Sequence, residues 1–154
     1  TYKVISRGKT VQYSRMADKK AAKALIPASV TIAGVTYKVT AVSSGAFSGC
    51  TKLKSVTIGK NVTSIGAKAF YKCTGLKKIT IPAKVGKIGK QAFYGCKKLK
   101  NITVKTAKLT AKTVGAKAFK GTPAKAAVKV PKKKKKAYTK LLRAKGLAKT
   151  AKIK

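Results

Sequence analysis

The dipeptide Ala-Phe recurs at Ala46-Phe47, Ala69-Phe70, Ala92-Phe93 and Ala118-Phe119, at separations of 23, 23 and 26 residues. Three residues after each Phe stands Cys50, Cys73, Cys96 and then Thr122. Three further on stands Leu53, Leu76 and Leu99, followed by Val56-x-Ile58, Ile79-x-Ile81 and Ile102-x-Val104. The fourth unit keeps Val128-x-Val130 but places Lys125 where the Leu belongs, which marks it as atypical. A fixed period of this length means that each unit is a supersecondary piece unable to bury its own apolar side, so the units must stack. The x-V-T-I alternation predicts a short strand with one inward face. The G-A-x-A-F-x-x-C segment has room for one helical turn that sends Ala and Phe into the same core, and Gly66, Gly89 and Gly115 are expected to turn the chain. Stacked parallel strands about 4.8 Å apart bring the Phe, Cys and Leu positions into columns. The three extra residues of the last spacing fall between Val104 and Val114 and lengthen a connection without touching a strand.

The predicted fold is therefore an α/β repeat solenoid of about four 23-residue units with parallel strands. Residues 1–45 form a β cap and an altered first repeat, 46–130 the repeats, and 131–154 a C-terminal cap. At the front, Tyr2-Lys-Val-Ile-Ser and Val11-Gln-Tyr-Ser flank Arg7-Gly8-Lys9 and read as a hairpin; residues 30–39 read as a second pair turning at Ala33-Gly34. At the back, Pro131 suits the first turn of a helix. Tyr138, Leu141, Leu142 and Lys145 then fall on one helical stripe, Gly146 is placed to stop the helix in a left-handed conformation, and Ala151-Lys-Ile-Lys154 adds an edge strand.

These residues resemble the BspA-like leucine-rich repeats of bacterial surface proteins. The resemblance rests on AFSGCTKLKSVTIGKNVTSIGAKAFYKCTGLKKITIPAKVGKIGKQAFYGCKKLKNITV and, in altered form, on IPASVTIAGVTYKVTAVSSGAF before it. It implies a leucine-rich-repeat stack in an extracellular or cell-surface protein, adhesion or partner binding as the role, and no catalytic residue.

Charge sets the chemistry. Thirty-nine Lys and Arg stand against one acid, Asp18, for a formal net charge of +38, and there is no His. One carboxylate and no imidazole leave no general acid/base pair and no oxygen cage for a hard cation, and three Cys lack the CxxC spacing of zinc sites. No enzyme activity, cofactor or metal is expected. In-register cysteines are poorly aimed for a disulfide ladder and read as buried reduced thiols. The uncharged stretches are too short for a membrane-spanning helix. The chain begins at Thr1 without Met or a basic, apolar leader, as a mature secreted protein or a trimmed chain would.

The candidate polyanion-binding residues follow from stacking. Lys54, Lys77 and Lys100 occupy equivalent places beside the strands, with Lys78 next to them and Thr57, Thr80 and Thr103 in an outward row. The run Lys132, Lys133, Lys134, Lys135 and Lys136 is either a polybasic patch or the solvated first turns of the cap helix. Only Arg7, Arg15 and Arg143 are arginines, so the cations are point charges that favour diffuse, salt-sensitive attraction over base reading. Tyr71 and Tyr94 read as a binding pair on the convex side or as rings half-buried against neighbouring repeats.

Expected partners are anionic polymers: cell-wall polymer, acidic glycan or nucleic acid. The leading reading is a non-enzymatic extracellular or cell-surface binding module. The alternative is a sequence-nonspecific nucleic-acid-coating protein, as monomer or filament subunit, with self-association left to conditions in which a polyanion screens the charge. A deliberately supercharged sequence would share the composition.

Overall fold

The computed structural model describes residues 1–4 and 8–154. Its period-two, β-branched segments are strands: β1 (Tyr2–Val4), β2 (Thr10–Tyr13), β3 (Lys23–Ile26), β4 (Ser29–Ile32), β5 (Val35–Val42), β6 (Ser55–Ile58), β7 (Ser64–Ile65), β8 (Lys78–Ile81), β9 (Lys87–Ile88), β10 (Asn101–Val104) and β11 (Ala127–Lys129). A 3₁₀ turn at Lys132–Lys134 leads into the helix α1 (Lys135–Ala144), and β12 (Lys152–Ile153) ends the chain.

Two six-stranded sheets result. In one, β3, β6, β8, β10, β11 and β12 lie side by side, all parallel, with Val56, Ile79, Ile102 and Val128 in register. The other runs β1-β2-β5-β7-β9, with β4 paired to β5, and continues through a bridge from Ile88 to Val114. The chain thus winds as a parallel-strand solenoid of about six turns with one short C-terminal helix. Through the core runs a ring column: Tyr13, Phe47, Phe70, Phe93 and Phe119 stack with centroids 4.9 to 5.4 Å apart and planes within 15° of parallel. Tyr13, a fifth rung, lies outside the spacing that marks the other four.

The repeats contain no helical turn. Lys68 and Lys72 sit at φ +54° and +53°, and the same two places in other turns of the solenoid are held by Gly45, Gln91, Lys117, Gly49, Gly95 and Gly121, all at positive φ. This alternation splits the backbone donors. The N–H groups of Ala69, Tyr71 and Cys73 bond three residues back, whereas those of Lys68, Phe70 and Lys72 bond Lys90, Ala92 and Tyr94 of the next turn at 2.7–2.9 Å. A helix would keep every such bond within one turn of the solenoid; here half of them tie successive turns together.

Gly66, Gly89 and Gly115 do not turn the chain. Their φ values are not positive, and a Cβ on any of them would meet the preceding turn's backbone at 2.3 to 2.4 Å. They are glycines because the stacked backbones approach so closely there.

At the front, β1 pairs antiparallel with β2, Tyr2 opposite Tyr13. The expected Arg7-Gly8-Lys9 turn lies partly outside the described residues. β4 and β5 form an antiparallel hairpin through Ala33 (φ +47°) and Gly34 (φ +74°), the geometry of a two-residue hairpin turn. At the back, Gly146 at φ +97° closes α1: its N–H bonds the Arg143 carbonyl and that of Leu147 the Leu142 carbonyl. The extra residues between Val104 and Val114 hold the helix in place. Thr106 Oγ1 donates to the Val85 carbonyl at 2.6 Å, Tyr138 Oη donates to the Thr106 carbonyl at 3.0 Å, and the Leu109 N–H donates to Tyr138 Oη at 3.0 Å.

Candidate polyanion-binding face

The outward face of the all-parallel sheet carries what the alternation sends away from the core. In β6 and β8 this is Ser55, Thr57, Lys78 and Thr80, while Val56, Ile58, Ile79 and Ile81 are buried beneath. Register puts Lys23 opposite Ser55, and Ser55 opposite Lys78. Lys23, Ser55, Thr57, Lys78, Thr80 and Lys105 line a cleft of about 570 Å³. A second cleft of about 520 Å³ shares Thr80 and Lys105 with it and adds Thr103, Lys129 and Pro131. Four hydroxyl groups (Ser55, Thr57, Thr80 and Thr103) and four ammonium groups (Lys23, Lys78, Lys105 and Lys129) therefore converge on adjoining hollows. Asp18, the chain's sole acidic side chain, accepts the Lys20 backbone N–H instead of pairing with them. Cations gathered in a recess without counter-charge raise the local concentration of anions.

The sequence-derived residues divide over this surface. Lys78 is in the first cleft. Lys54, Lys77 and Lys100 are exposed at the strand entrances, chained by backbone bonds from Lys77 N–H to Lys54 O (2.9 Å) and Lys100 N–H to Lys77 O (3.0 Å). Lys77 and Lys100 line a separate hollow of about 380 Å³ with Lys98 and Asn101. The column is not continued in the last unit, where Lys125 is exposed and Ala126 buried. Lys132, Lys133, Lys134, Lys135 and Lys136 are all exposed, on the 3₁₀ turn and the start of α1, and line none of these clefts.

Lys23 and Lys105 escaped the sequence reading, the first because it precedes the regular repeats, the second because it opens the irregular connection. A signal for Lys23 was present: Lys23-Ala-Leu-Ile-Pro27 repeats the pattern of Lys78-Ile-Thr-Ile-Pro82.

The thiols offer no competing chemistry. Cys50, Cys73 and Cys96 are free and buried. Cys73 Sγ donates to the Phe47 carbonyl at 2.9 Å and Cys96 Sγ to the Phe70 carbonyl at 3.1 Å. Burial raises the Cys50 and Cys73 thiols and pushes that of Cys96 up to about 12. Thr122 substitutes a hydroxyl that donates to its own unit's Phe119 carbonyl. Tyr71 and Tyr94 are half-buried and stacked 5.3 Å apart, with Lys68 and Lys72 Nζ 5.6 and 5.4 Å from the Tyr71 ring centre. Among the described residues no helix is long and apolar enough to cross a membrane.

The model of the BspA type leucine rich repeat region matches six copies across residues 26–146, where the Ala-Phe spacing alone marks four. The chain belongs to this family. Among solved structures it is similar to a leucine rich cell surface protein of Faecalibacterium prausnitzii, with 29% identity and a TM-score of 0.69 over 85% of the chain. The chain spans 35% of that protein's length. The leucine rich repeat protein of T. pallidum shares the fold, with a TM-score of 0.63, 22% identity, and coverage of 85% of this chain and 68% of that one. No curated protein matches.

Proposed function

We propose that this BspA-type chain is a non-enzymatic binding module of an extracellular or cell-surface protein, which attaches electrostatically to anionic polymers through the outward face of its parallel sheet. The observation that carries this reading is the lysine-lined pair of clefts, neither of which has an acidic side chain in its lining. The Faecalibacterium protein, named as a cell surface protein, supports the location. The entrance column Lys54, Lys77 and Lys100 and the run Lys132, Lys133, Lys134, Lys135 and Lys136 extend the basic field beyond the clefts.

Affinity for a long polyanion should fall steeply with salt, with a log–log slope of about −0.9 per duplex phosphate neutralised when DNA is the probe. Reversing Lys23, Lys78 and Lys105 to Glu together should weaken binding more than reversing Lys84, Lys90 and Lys112. Equal losses would mean that the whole surface binds and the sheet face is no site. Affinity for one polymer that survives about 0.5 M salt, where the screening length is only ~4 Å, would overturn the electrostatic account.

A further inference from the structure

We infer that the polymer taken up by the sheet face is an acidic polysaccharide, a sugar chain bearing carboxylate or sulfate groups, and not a nucleic acid; this rests on the electrostatic reading of the same face. Two observations carry it. The first is the composition of the cleft, where Ser55, Thr57 and Thr80 stand among Lys23 and Lys78 on the adjacent strands β3, β6 and β8, with Lys105 reaching in from just past the end of β10. Thr103 prolongs the hydroxyl row into the second cleft. A hydroxyl both donates and accepts, so a row of them matches ring hydroxyls, which also do both; a phosphodiester backbone offers acceptors alone and is served as well by lysine. The lysines then take the charged substituents.

The second observation is the repeat distance. Thr57, Thr80 and Thr103 lie on successive parallel strands, spaced about 4.8 Å, close to the advance of one pyranose along an extended sugar chain. A polysaccharide laid across the strands would therefore meet an equivalent hydroxyl once per sugar. Duplex DNA advances about 3.4 Å per phosphate on each strand and falls out of step within a few turns of the solenoid. The cleft also lacks an aromatic side chain on which the bases of a single strand could stack.

The test uses the whole chain and four probes: a hexamer of galacturonate, a heparin hexasaccharide, an uncharged cellohexaose and a 15-base-pair DNA duplex, titrated at low and moderate salt. The double variant Thr57→Val, Thr80→Val keeps shape, strand propensity and charge while removing two hydroxyls. It should weaken at least one acidic hexasaccharide about tenfold and change DNA affinity less than twofold, because unmade hydrogen bonds penalise only the partner that used them. Thr57→Ser, Thr80→Ser should restore binding, which separates lost hydroxyls from lost fold. Binding of all three charged probes with no effect of the valine variant, an equal loss for sugar and DNA, or tighter binding of the duplex than of either acidic sugar would overturn the polysaccharide assignment alone. Failure of every charged probe at low salt would instead overturn the electrostatic reading beneath it. Cellohexaose should not bind; if it bound as tightly as galacturonate, charge would play no part.

Discussion

Single residues in this chain answer to the stack more than to their own unit. Cys73 donates its thiol proton to the Phe47 carbonyl of the preceding turn, so its sulfur is both filler and rivet. Cys73→Ser should keep the bond and cost little, whereas Cys73→Val removes one of the two bonds to the Phe47 carbonyl, which retains the Cys50 N–H at 3.1 Å, and should cost about 0.5–1.5 kcal/mol; urea melts of the two variants decide this. All three thiols should react slowly with a thiol reagent until the protein unfolds, since burial raises each of them. The sign follows: a thiol whose folded value lies above its unfolded value of about 8.5 stabilises fully below that pH and progressively less as the pH climbs. For Cys96 that window closes at about 12. Fast native reaction of all three at pH 8 would contradict the buried column. Gln91 presents the opposite case, a side chain where glycine belongs. It sits at φ +57° in a place that Gly45 fills in an earlier turn. Left-handed backbone costs a non-glycine residue roughly 1–2 kcal/mol, more than the glycine entropy penalty of about 0.5–1, so Gln91→Gly should raise stability by about 0.5 kcal/mol in the same melts.

At the scale of elements, the connection between β10 and Val114 and the helix α1 form one device. Tyr138 Oη bonds both Thr106 and Leu109, and it is the polar contact between helix and connection at the bottom of the joint. Tyr138→Phe should cost about 1–3 kcal/mol and lower hydrogen-exchange protection over residues 135–144, leaving protection in β6 and β8 unchanged. Uniform loss across the chain would mean the helix does not open separately. This joint also shows where the sequence stopped being readable. Strands and core columns could be read because each obeys a period: valine and isoleucine at every second place, phenylalanine every 23. The helix could be read from Pro131, the stripe of Tyr138, Leu141 and Leu142, and Gly146. Their contact could not, because Tyr138 and Thr106 belong to no common period and meet only through the winding. The turns misled for a related reason. Gly-Ala-x-Ala-Phe has helical composition, but donors directed to the next turn of the solenoid require its neighbour's carbonyls, which a single unit does not contain. The same holds for the cleft: Lys78 was visible inside the repeat, whereas Lys23 reaches it from an altered unit ahead of the Ala-Phe series and Lys105 from the irregular connection after β10.

For the whole molecule, stability is a contest between a continuous apolar column and charge that nothing in the chain neutralises. Phe70 lies between two rings, Phe47 and Phe93, whereas the stack formed by the five rings ends at Phe119, which has one ring neighbour in it, Phe93. Phe70→Ala should cost roughly 3–5 kcal/mol, and Phe119→Ala less by about the value of one aromatic pair, ~0.5–1.5 kcal/mol; equal costs in denaturant melts would refute the ordering. Against this column stand 39 cations and one acid. Two exposed ammonium groups 4–5 Å apart repel by at most about 1 kcal/mol in water, but at low salt each also feels distant ones, because the screening length near 0.01 M is about 30 Å. At 0.15 M it is about 8 Å, which confines the repulsion to near neighbours. A protein held by surface ion pairs loses stability as salt is added; this one has no population of ion pairs to lose. Raising sodium chloride from 0.01 to 0.15 M should therefore raise Tm by roughly 3–6 °C, the shift that about 1–2 kcal/mol produces in a chain of this size. A short acidic oligosaccharide that occupies the sheet face should add a further rise at 0.01 M, and that increment should shrink at 0.15 M as its ionic part is screened. A Tm that stayed level or fell with salt would mean that repulsion among the lysines contributes nothing to the folding balance, and that an anionic partner gains no affinity from relieving it.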